Sequence, residues 1–466
     1  MELNGISKLR KDLKILQNLQ RKMISILSWN ESPISTSNQI KDLFNFFEEI
    51  SISQHFSHYE AFLRIFVHLS IYFDFQKTKE EEIISQRQEI FFIVLKELIV
   101  NHSLKTSFDQ LTLFLIFEQN KHFLLFLFEE ELFDISFLIQ KITSLYDKNL
   151  FIFFIPEIKK LKPEFYDILK EKFYLTEDDI NTFYKLSNEK SQEESSTIKQ
   201  EQDQHQEKEN TFEIQRKIHS EEEIAKIIRT DDIHHFIDFI SKIEFFDLNC
   251  KIEPSFLENN LDINNLDINT YMNKGISLIE YSMAFGSINI FRYLLKNKAQ
   301  YSEESLKYCI IGNHYEILHH LEEESKFEFD EKIYHKSIEY YHPEFIEYFS
   351  NSNILNEKKV LTISLIIKIF HETTNIEILF ELFFNKEISE FSTYEEYRYF
   401  SSLSNDFIST FDINNIFFTL LESRQFPFYF LYRFFLRQPN IDINLKTKIF
   451  HFQFIIIFFF SNGIFN

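Results

Sequence analysis

Apolar residues in the middle of the chain recur at a fixed interval, and this repeat constrains the fold more than any other feature. An apolar triad at positions i, i+1 and i+4 returns at intervals of 27 and 28 residues. The triads are Ile290/Phe291/Leu294, Ile317/Leu318/Leu321 and Phe345/Ile346/Phe349. Such spacing places side chains on one face of a helix, and that face needs a neighbour to cover it. We therefore predict helical hairpins that stack on one another in a solenoid.

Glycine marks the turns of the best-preserved hairpin. The chain has 5 glycines in 466 residues, and Gly275, Gly286 and Gly312 all fall in the repeat region. Gly286 separates two amphipathic stretches, where a left-handed residue reverses the chain at little cost. We predict that Gly275 introduces this hairpin, that Gly286 forms its turn, and that Gly312 forms the turn of the next hairpin.

Residues 275–299, GISLIEYSMAFGSINIFRYLLKNKA, resemble an ankyrin repeat. The matching positions are Gly275, Ser277, Ile279, Gly286, Leu294, Leu295 and Ala299, where the family places Gly, Thr, Leu, Gly, Leu, Leu and Ala. Taken in order, residues 227–240, 277–295, 306–323 and 337–349 resemble the ankyrin-like domain of unknown function that is expanded in trichomonad protists. The resemblance implies a divergent ankyrin-like solenoid that binds other proteins.

Some residues of this segment depart from the family pattern. Glu280 stands where ankyrin repeats carry a histidine that ties turns together, so the resemblance leads us to expect looser turns. Met283 replaces a small alanine at the contact between helices, which predicts wider helix packing. Lys298 replaces the glycine of the second loop.

Helical patterns flank a polar stretch. Apolar residues such as Leu9, Leu13 and Leu16 recur at helical spacing in the N-terminal part. The chain is 17% aromatic, yet no aromatic residue lies between Tyr184 and Phe212, which is typical of a disordered linker. We predict an all-α protein with an N-terminal helical region (1–185), a disordered acidic linker (186–222), an ankyrin-like repeat domain (223–350) and degenerate C-terminal helical repeats with an apolar tail (351–466).

Charge and composition exclude several classes of function. The net charge is −23, whereas nucleic-acid binding needs a basic face, and anionic membranes are disfavoured for the same reason. Cys250 and Cys309 alone cannot build a disulfide framework or a zinc cluster. The glycine positions leave no phosphate-binding loop, dinucleotide fingerprint or nucleophile elbow. We predict no catalytic residue, no cofactor and no metal site.

Two histidine patterns come near to metal-binding motifs. Residues 371–375, HETTN, lack the second histidine of a zinc-protease helix, and we interpret them as the surface of a helix. His55 and His58 are spaced for one helical face, but a lone pair is only a weak indication of a metal site.

These patterns together predict a non-enzymatic protein–protein interaction module or scaffold. The N-terminus does not resemble a signal peptide and no run of 18 apolar residues occurs, so we expect a cytoplasmic protein. Two alternatives stay open: an enzyme or enzyme subunit with an unrecognised site in 1–185, and a membrane-peripheral protein that uses its apolar tail. The tail, residues 449–466, admits three interpretations: it packs back on the repeats, it contacts a partner or a membrane, or it is a truncated gene end.

Overall fold

The computed structural model describes residues 2–28, 33–79, 81–180, 214–264, 275–324, 327, 331–351 and 373–384. These residues are mostly helical, so the predicted all-α class is confirmed. The chain divides into unit 1, residues 1–73 with 329–466, and unit 2, residues 74–328. Within the described part, no helix has the length and apolar character to cross a membrane. Most of the predicted C-terminal repeats and the apolar tail lie outside the described residues.

The helices follow one another along most of the described chain. In order they are α1 (Glu2–Leu27), α2 (Pro33–Glu49), α3 (Phe56–Tyr72), α4 (Glu81–Val100), α5 (Leu104–Ser107), α6 (Gln110–Phe117), α7 (Lys121–Glu129), α8 (Ile135–Leu145), α9 (Lys148–Phe153), α10 (Ile155–Leu161), α11 (Pro163–Lys172), α12 (Glu223–Thr230), α13 (Ile233–Ser241), α14 (Leu261–Asn264), α15 (Leu278–Ala284), α16 (Ile288–Lys296), α17 (Lys307–Ile311), α18 (Tyr315–Glu324), α19 (Glu331–Glu339), α20 (Pro343–Asn351) and α21 (Ile376–Phe384). Short 3₁₀ turns span Ile52–Gln54, Phe75–Lys79 and Glu303–Leu306, and the strands β1 (Lys251–Ile252) and β2 (Ile276–Ser277) pair antiparallel.

Unit 1 packs α1 against α2, α3 and α21, which join the unit from distant parts of the sequence. Gln20 holds the start of α21: its Nε2 donates to the carbonyl oxygen of Thr374 (2.8 Å), and its Oε1 accepts from the amide of Ile376 (2.9 Å). Residues 373–375, the described part of the HETTN stretch, are buried at this helix start. The expected surface position is therefore wrong for them, because their polar groups cap α21 inside the unit.

Unit 2 contains helix hairpins that follow one another in the sequence. In the described residues they are α12–α13, α15–α16 and α17–α18. The first helices contact one another in order, α12 with α15 and α15 with α17, and the second helices α13, α16 and α18 do the same. Ile290, Leu294, Ile317 and Leu321 of the second helices are fully buried. Phe345 and Phe349 are also buried, but they lie in α20 of unit 1.

Left-handed residues form the turns of these hairpins. The φ angle is +54° at Asp231, +63° at Gly286 and +46° at Asn313, and Tyr341 takes +59° between α19 and α20. The intervals from Gly286 to Asn313 and on to Tyr341 are 27 and 28 residues, as between the triads. The turn predicted at Gly312 is wrong by one residue, because Gly312 has φ −74° and Asn313 takes the left-handed conformation that asparagine tolerates.

Gly312 is needed for close approach between helices. A Cβ atom at Gly312 would overlap the carbonyl oxygen of Met283, so the backbones of α15 and α17 meet here. Met283 is fully buried, and the wider packing expected from it is not found. The missing side chain at Gly312 lets the Met283 backbone approach closely, although Met283 itself carries a bulky side chain.

Glu280 links two turns, at the position where the sequence resemblance places a histidine. One carboxylate oxygen accepts from the amide (3.0 Å) and hydroxyl (2.7 Å) of Ser277, in a capping box at the start of α15. The other oxygen accepts from the hydroxyl of Ser305 (2.7 Å), ahead of α17. The looser turns expected from the loss of histidine are therefore not found. Gly275, at φ +58°, brings β2 against β1, since a Cβ there would lie 2.7 Å from the carbonyl oxygen of Ile252.

Lys298→Gly is expected to stabilise unit 2 by about 0.5 kcal/mol. Lys298 has φ +62°, and glycine removes a left-handed penalty of about 1–2 kcal/mol while adding about 0.5–1 kcal/mol of backbone entropy cost. The matched control is Lys296→Gly in the last turn of α16, where we expect a loss of about 1 kcal/mol. Urea unfolding followed by circular dichroism measures both, and a loss in both variants would contradict the turn geometry.

The predicted linker 186–222 ends inside the folded unit. Residues 181–213 lie outside the described residues, but 214–222 belong to unit 2 and bury Ile214, Gln215, His219 and Ser220. Unit 2 also joins residues 74–180 to the hairpins. Composition alone does not reveal that these polar side chains have buried hydrogen-bond partners.

Candidate functional site

The first helices of the hairpins present a face that the chain itself covers. In α15, the residues Leu278, Ile279, Tyr281 and Met283 are all buried. Helices α12, α16 and α17 each contact α15. The 214–222 segment and Phe75 pack on this hairpin too, since the rings of Phe75 and His219 both lie 5.0 Å from the ring of Phe285. We call this surface the covered face.

Arg229 fixes the 214–222 segment to the hairpins. Its guanidinium group is buried and donates from Nη1 to the carbonyl oxygen of Ser220 (2.8 Å) and to the hydroxyl of Tyr281 (2.8 Å). Burial raises the pKa of Tyr281 to about 12, so its hydroxyl stays protonated at neutral pH. Arg229 therefore joins α12, α15 and the covering segment through one side chain.

His219 anchors the same segment from its other side. Its Nδ1 lies 2.7 Å from Oε2 of Glu258, and both side chains are buried. The second carboxylate oxygen of Glu258 accepts from the amide of Asn260 (2.8 Å). Glu258 thus serves two buried partners, and its loss would remove the carboxylate that accepts from both.

Lys121 and His122 begin α7 and extend this polar network. Lys121 donates from Nζ to the carbonyl oxygen of Glu258 (2.7 Å), and burial lowers its pKa to about 8. His122 Nε2 lies 2.8 Å from the carbonyl oxygen of Lys217, and its Nδ1 lies 2.9 Å from Nδ2 of the Asn259 side chain. These partners fit a neutral ring with the proton on Nε2, and burial lowers the His122 pKa to about 4.

Gln215 connects the covering segment to α9 and α10. Its Nε2 donates to the carbonyl oxygen of Phe153 (2.8 Å) and to Oε2 of Glu157 (3.1 Å). Burial raises the pKa of Glu157 to about 7. Small changes of pH around neutrality therefore change the charge of the Glu157 carboxyl group inside the folded unit.

Stability is expected to fall with rising pH because of Glu157. An acid whose pKa is raised by folding favours the folded state when protonated, so its contribution is lost as the pH rises from about 4.5 to about 7. That loss amounts to about 3 kcal/mol, at about 1.4 kcal/mol per pKa unit. In Glu157→Gln the amide adds a buried donor at a cost of about 1 kcal/mol but cannot ionise.

We therefore predict a crossing of the two stability curves. Glu157→Gln should be about 1 kcal/mol less stable than the wild type at pH 4.5 and about 2 kcal/mol more stable at pH 8. Urea unfolding across this pH range measures the difference. A difference that does not vary with pH would show that Glu157 ionises in the folded chain as it does in water.

These hydrogen bonds hold the 214–222 segment in place, and we call the side chains that make them the clamp: Lys121, His122, Gln215, His219, Arg229 and Glu258. Lys121, His122 and Glu258 direct their polar atoms at protein partners, whereas a nucleophile or general base must reach its substrate. Within the described part of the chain, no group of three or more His, Cys, Asp or Glu residues could hold a metal ion. His58 of the H-x-x-H pair lies 2.9 Å from the carboxylate of Asp12.

The sequence pattern located the hairpins but not the clamp. The predicted residues Gly275, Gly286, Ile290, Leu294, Gly312, Ile317 and Leu321 all lie in unit 2, in the hairpins that carry the covered face. Sequence reasoning missed Arg229, His219 and Glu258, whose partners lie at distant positions in the chain. Lys121 and His122 carried one signal, because a Lys-His pair opens an otherwise apolar helix.

Comparison with known proteins identifies no relative: no family model matches the sequence, and neither a curated protein nor a solved structure does.

Proposed function

We propose that the chain is a non-enzymatic protein–protein interaction module or scaffold built on a divergent ankyrin-like solenoid. The stacking of consecutive hairpins carries this proposal, with first helices against first helices and second helices against second helices. Such arrays present extended surfaces whose usual role is to bind other proteins. We expect the protein to act in the cytoplasm.

The geometry around α15 supports the ankyrin-like assignment. A short antiparallel pairing, Ile252 with Ile276, precedes the helix, and Ser277 caps it. Gly286 then turns the chain into α16, where a bond from the Ser287 amide to the Ser282 carbonyl oxygen (2.8 Å) closes the end of α15. The capped helix, the left-handed turn and the second helix follow in the order of the hairpin predicted from the sequence, and the short strand pair precedes them.

Affinity purification of the full chain from native lysate, with quantitative mass spectrometry, tests the proposal. We expect a defined set of proteins that the wild type recovers and that Gly312→Ala, which disturbs the contact of α15 with α17, recovers poorly. Asn313→Gly is the matched control and should recover the same proteins as the wild type. Recovery of no protein above background would refute the proposal, whereas equal recovery by Gly312→Ala would mean that partners bind away from the α15–α17 contact.

One observation favours the alternative of an enzyme with a site in 1–185. Shifted pKa values of buried groups are common in active sites, and Lys121, His122 and Glu157 all have them. A catalytic lysine must be open to small electrophiles, whereas the clamp keeps Lys121 bound to Glu258. We expect trinitrobenzenesulfonate to leave Lys121 unmodified in the native chain. Rapid modification of Lys121 under native conditions would favour the enzyme.

A further inference from the structure

The covered face leaves a partner protein to bind elsewhere, and unit 2 exposes an apolar surface at α8 and α11. We call it the tyrosine patch, formed by Leu145, Tyr146, Phe165, Ile168 and Tyr174. In α11, Tyr166 and Leu169 are buried while Phe165 and Ile168 face solvent, Ile168 at 57% exposure. Phe165 and Ile168 are three residues apart and so lie on one helical face.

Tyr146 joins the end of α8 to the end of α11. Its hydroxyl donates to the carbonyl oxygen of Lys172 (3.0 Å), and its ring lies 5.1 Å from the ring of Phe173. Lys172 in turn donates from Nζ to the carbonyl oxygen of Thr143 (2.9 Å). These bonds hold Leu145, Tyr146 and Tyr174 at the same end of the two helices.

Both tyrosines of the patch have a backbone conformation that bulky residues rarely adopt. The φ angle is +55° at Tyr146 and +52° at Tyr174, where glycine or asparagine would cost less. Tyr146 is half-buried by its contacts with Lys172 and Phe173, but Tyr174 is 87% exposed, so packing within the chain does not account for the Tyr174 side chain. Backbone strain of this kind is concentrated at functional sites, and tyrosine is enriched where proteins meet.

An acidic row runs along α11 beside the patch. Glu164, Asp167 and Glu171 are all exposed and follow the helical spacing i, i+3, i+7, one residue before the apolar pair. Asp167 lies 3.6 Å from Lys170 of the same helix. The surface therefore offers apolar contact next to negative charge, together with the exposed ring of Tyr174, which can attract a cation. Lys172 Nζ of the same chain already lies 5.5 Å from the ring of Tyr146.

We propose that the tyrosine patch binds a basic amphipathic helix of a partner protein, an inference that rests on the proposed interaction function. The apolar face of such a helix would cover Phe165 and Ile168, while its lysines and arginines would meet the acidic row and the ring of Tyr174. A second copy of this chain would bring the same acidic row against itself. Nucleic acid and anionic membranes carry the same sign of charge as the row.

Selection of a display library of helical peptides on the full chain tests the proposal. We expect the enriched peptides to carry Lys or Arg beside apolar residues at i, i+3 or i+4, and i+7. Synthetic copies should bind Ile168→Ser and Tyr174→Ser at least tenfold more weakly, measured by fluorescence anisotropy. The matched control is Ile237→Ser, an exposed isoleucine of α13, which should bind as the wild type does. Glu164→Gln with Glu171→Gln should weaken binding and flatten its dependence on salt.

Several results would contradict the proposed role of the tyrosine patch. Enriched peptides that are acidic or neutral would contradict its charge, and binding unaffected by Ile168→Ser and Tyr174→Ser would contradict its position. Peptides whose binding is weakened only by the Ile237→Ser substitution would contradict binding at the tyrosine patch but would leave the proposed interaction function intact. If no peptide is enriched, the proposed role of the tyrosine patch is wrong. The proposed interaction function is tested separately, by the recovery of partners in affinity purification. Circular dichroism confirms that each variant is folded.

Discussion

Gly312→Ala is expected to destabilise unit 2 by about 3 kcal/mol, the upper end of the range for overpacked sites. The added Cβ would overlap the Met283 carbonyl oxygen, and that oxygen belongs to helix backbone that cannot rotate away. The backbones of α15 and α17 must then separate, and the buried contacts around Met283 loosen with them. Urea unfolding of the full chain, followed by circular dichroism, measures the change.

The neighbouring residue supplies the control. Asn313 has φ +46°, so Asn313→Gly should leave stability unchanged or raise it by about 0.5 kcal/mol. If Gly312 formed the left-handed turn instead, Asn313→Gly would weaken the helical hairpin and Gly312→Ala would cost only about 1 kcal/mol. A large loss of stability in Gly312→Ala, together with no loss in Asn313→Gly, is therefore specific to the observed geometry.

Glu258→Ala is expected to cost about 4 kcal/mol, because it removes the carboxylate that accepts from two buried donors. His219 Nδ1 and the Asn260 amide both bond to this carboxylate. His219 would then no longer be held, and the 214–222 segment would lose an anchor on the covered face. We expect a lower urea midpoint and faster hydrogen exchange of residues 214–222.

Glu258→Gln separates the lost hydrogen bonds from the lost volume. Glutamine keeps an oxygen acceptor for one of the two donors and nearly the same shape, so we expect about half the loss seen with alanine. An equal loss in both variants would mean that charge carries the interaction. No loss in either variant would contradict the role of Glu258 as an anchor.

Sequence periodicity was enough to predict the helices and the hairpins, because both depend on local spacing. The triad around Ile290 and Leu294 and the turn at Gly286 follow from residues within one hairpin. The turn of the next hairpin was misplaced by one position, since Gly312 and Asn313 are both suited to a turn. Only the approach of Met283 from another helix decides between them.

Nonlocal partners account for what sequence reasoning missed. The 214–222 segment looks like a linker by composition, yet Glu258 bonds to His219 from 39 residues away and Gln215 bonds to Phe153 across 62 residues. The assembly of unit 1 from both ends of the described chain is of the same kind, with Gln20 bonded to Ile376. Glu280 shows a further limit, because its carboxylate links two turns although the sequence resemblance led us to expect looser turns.

Brief trypsin digestion of the full chain under native conditions tests most directly whether the 214–222 segment covers the first helices. Two cleavage sites, Arg216 and Lys217, lie within it, and the carbonyl oxygen of Lys217 contacts His122. We predict that mass analysis of the early products finds no fragment ending at Arg216 or Lys217 in the wild type. Such fragments should appear early in Glu258→Ala. Early cleavage at these sites in the wild type, at the rate seen in Glu258→Ala, would contradict a covered face.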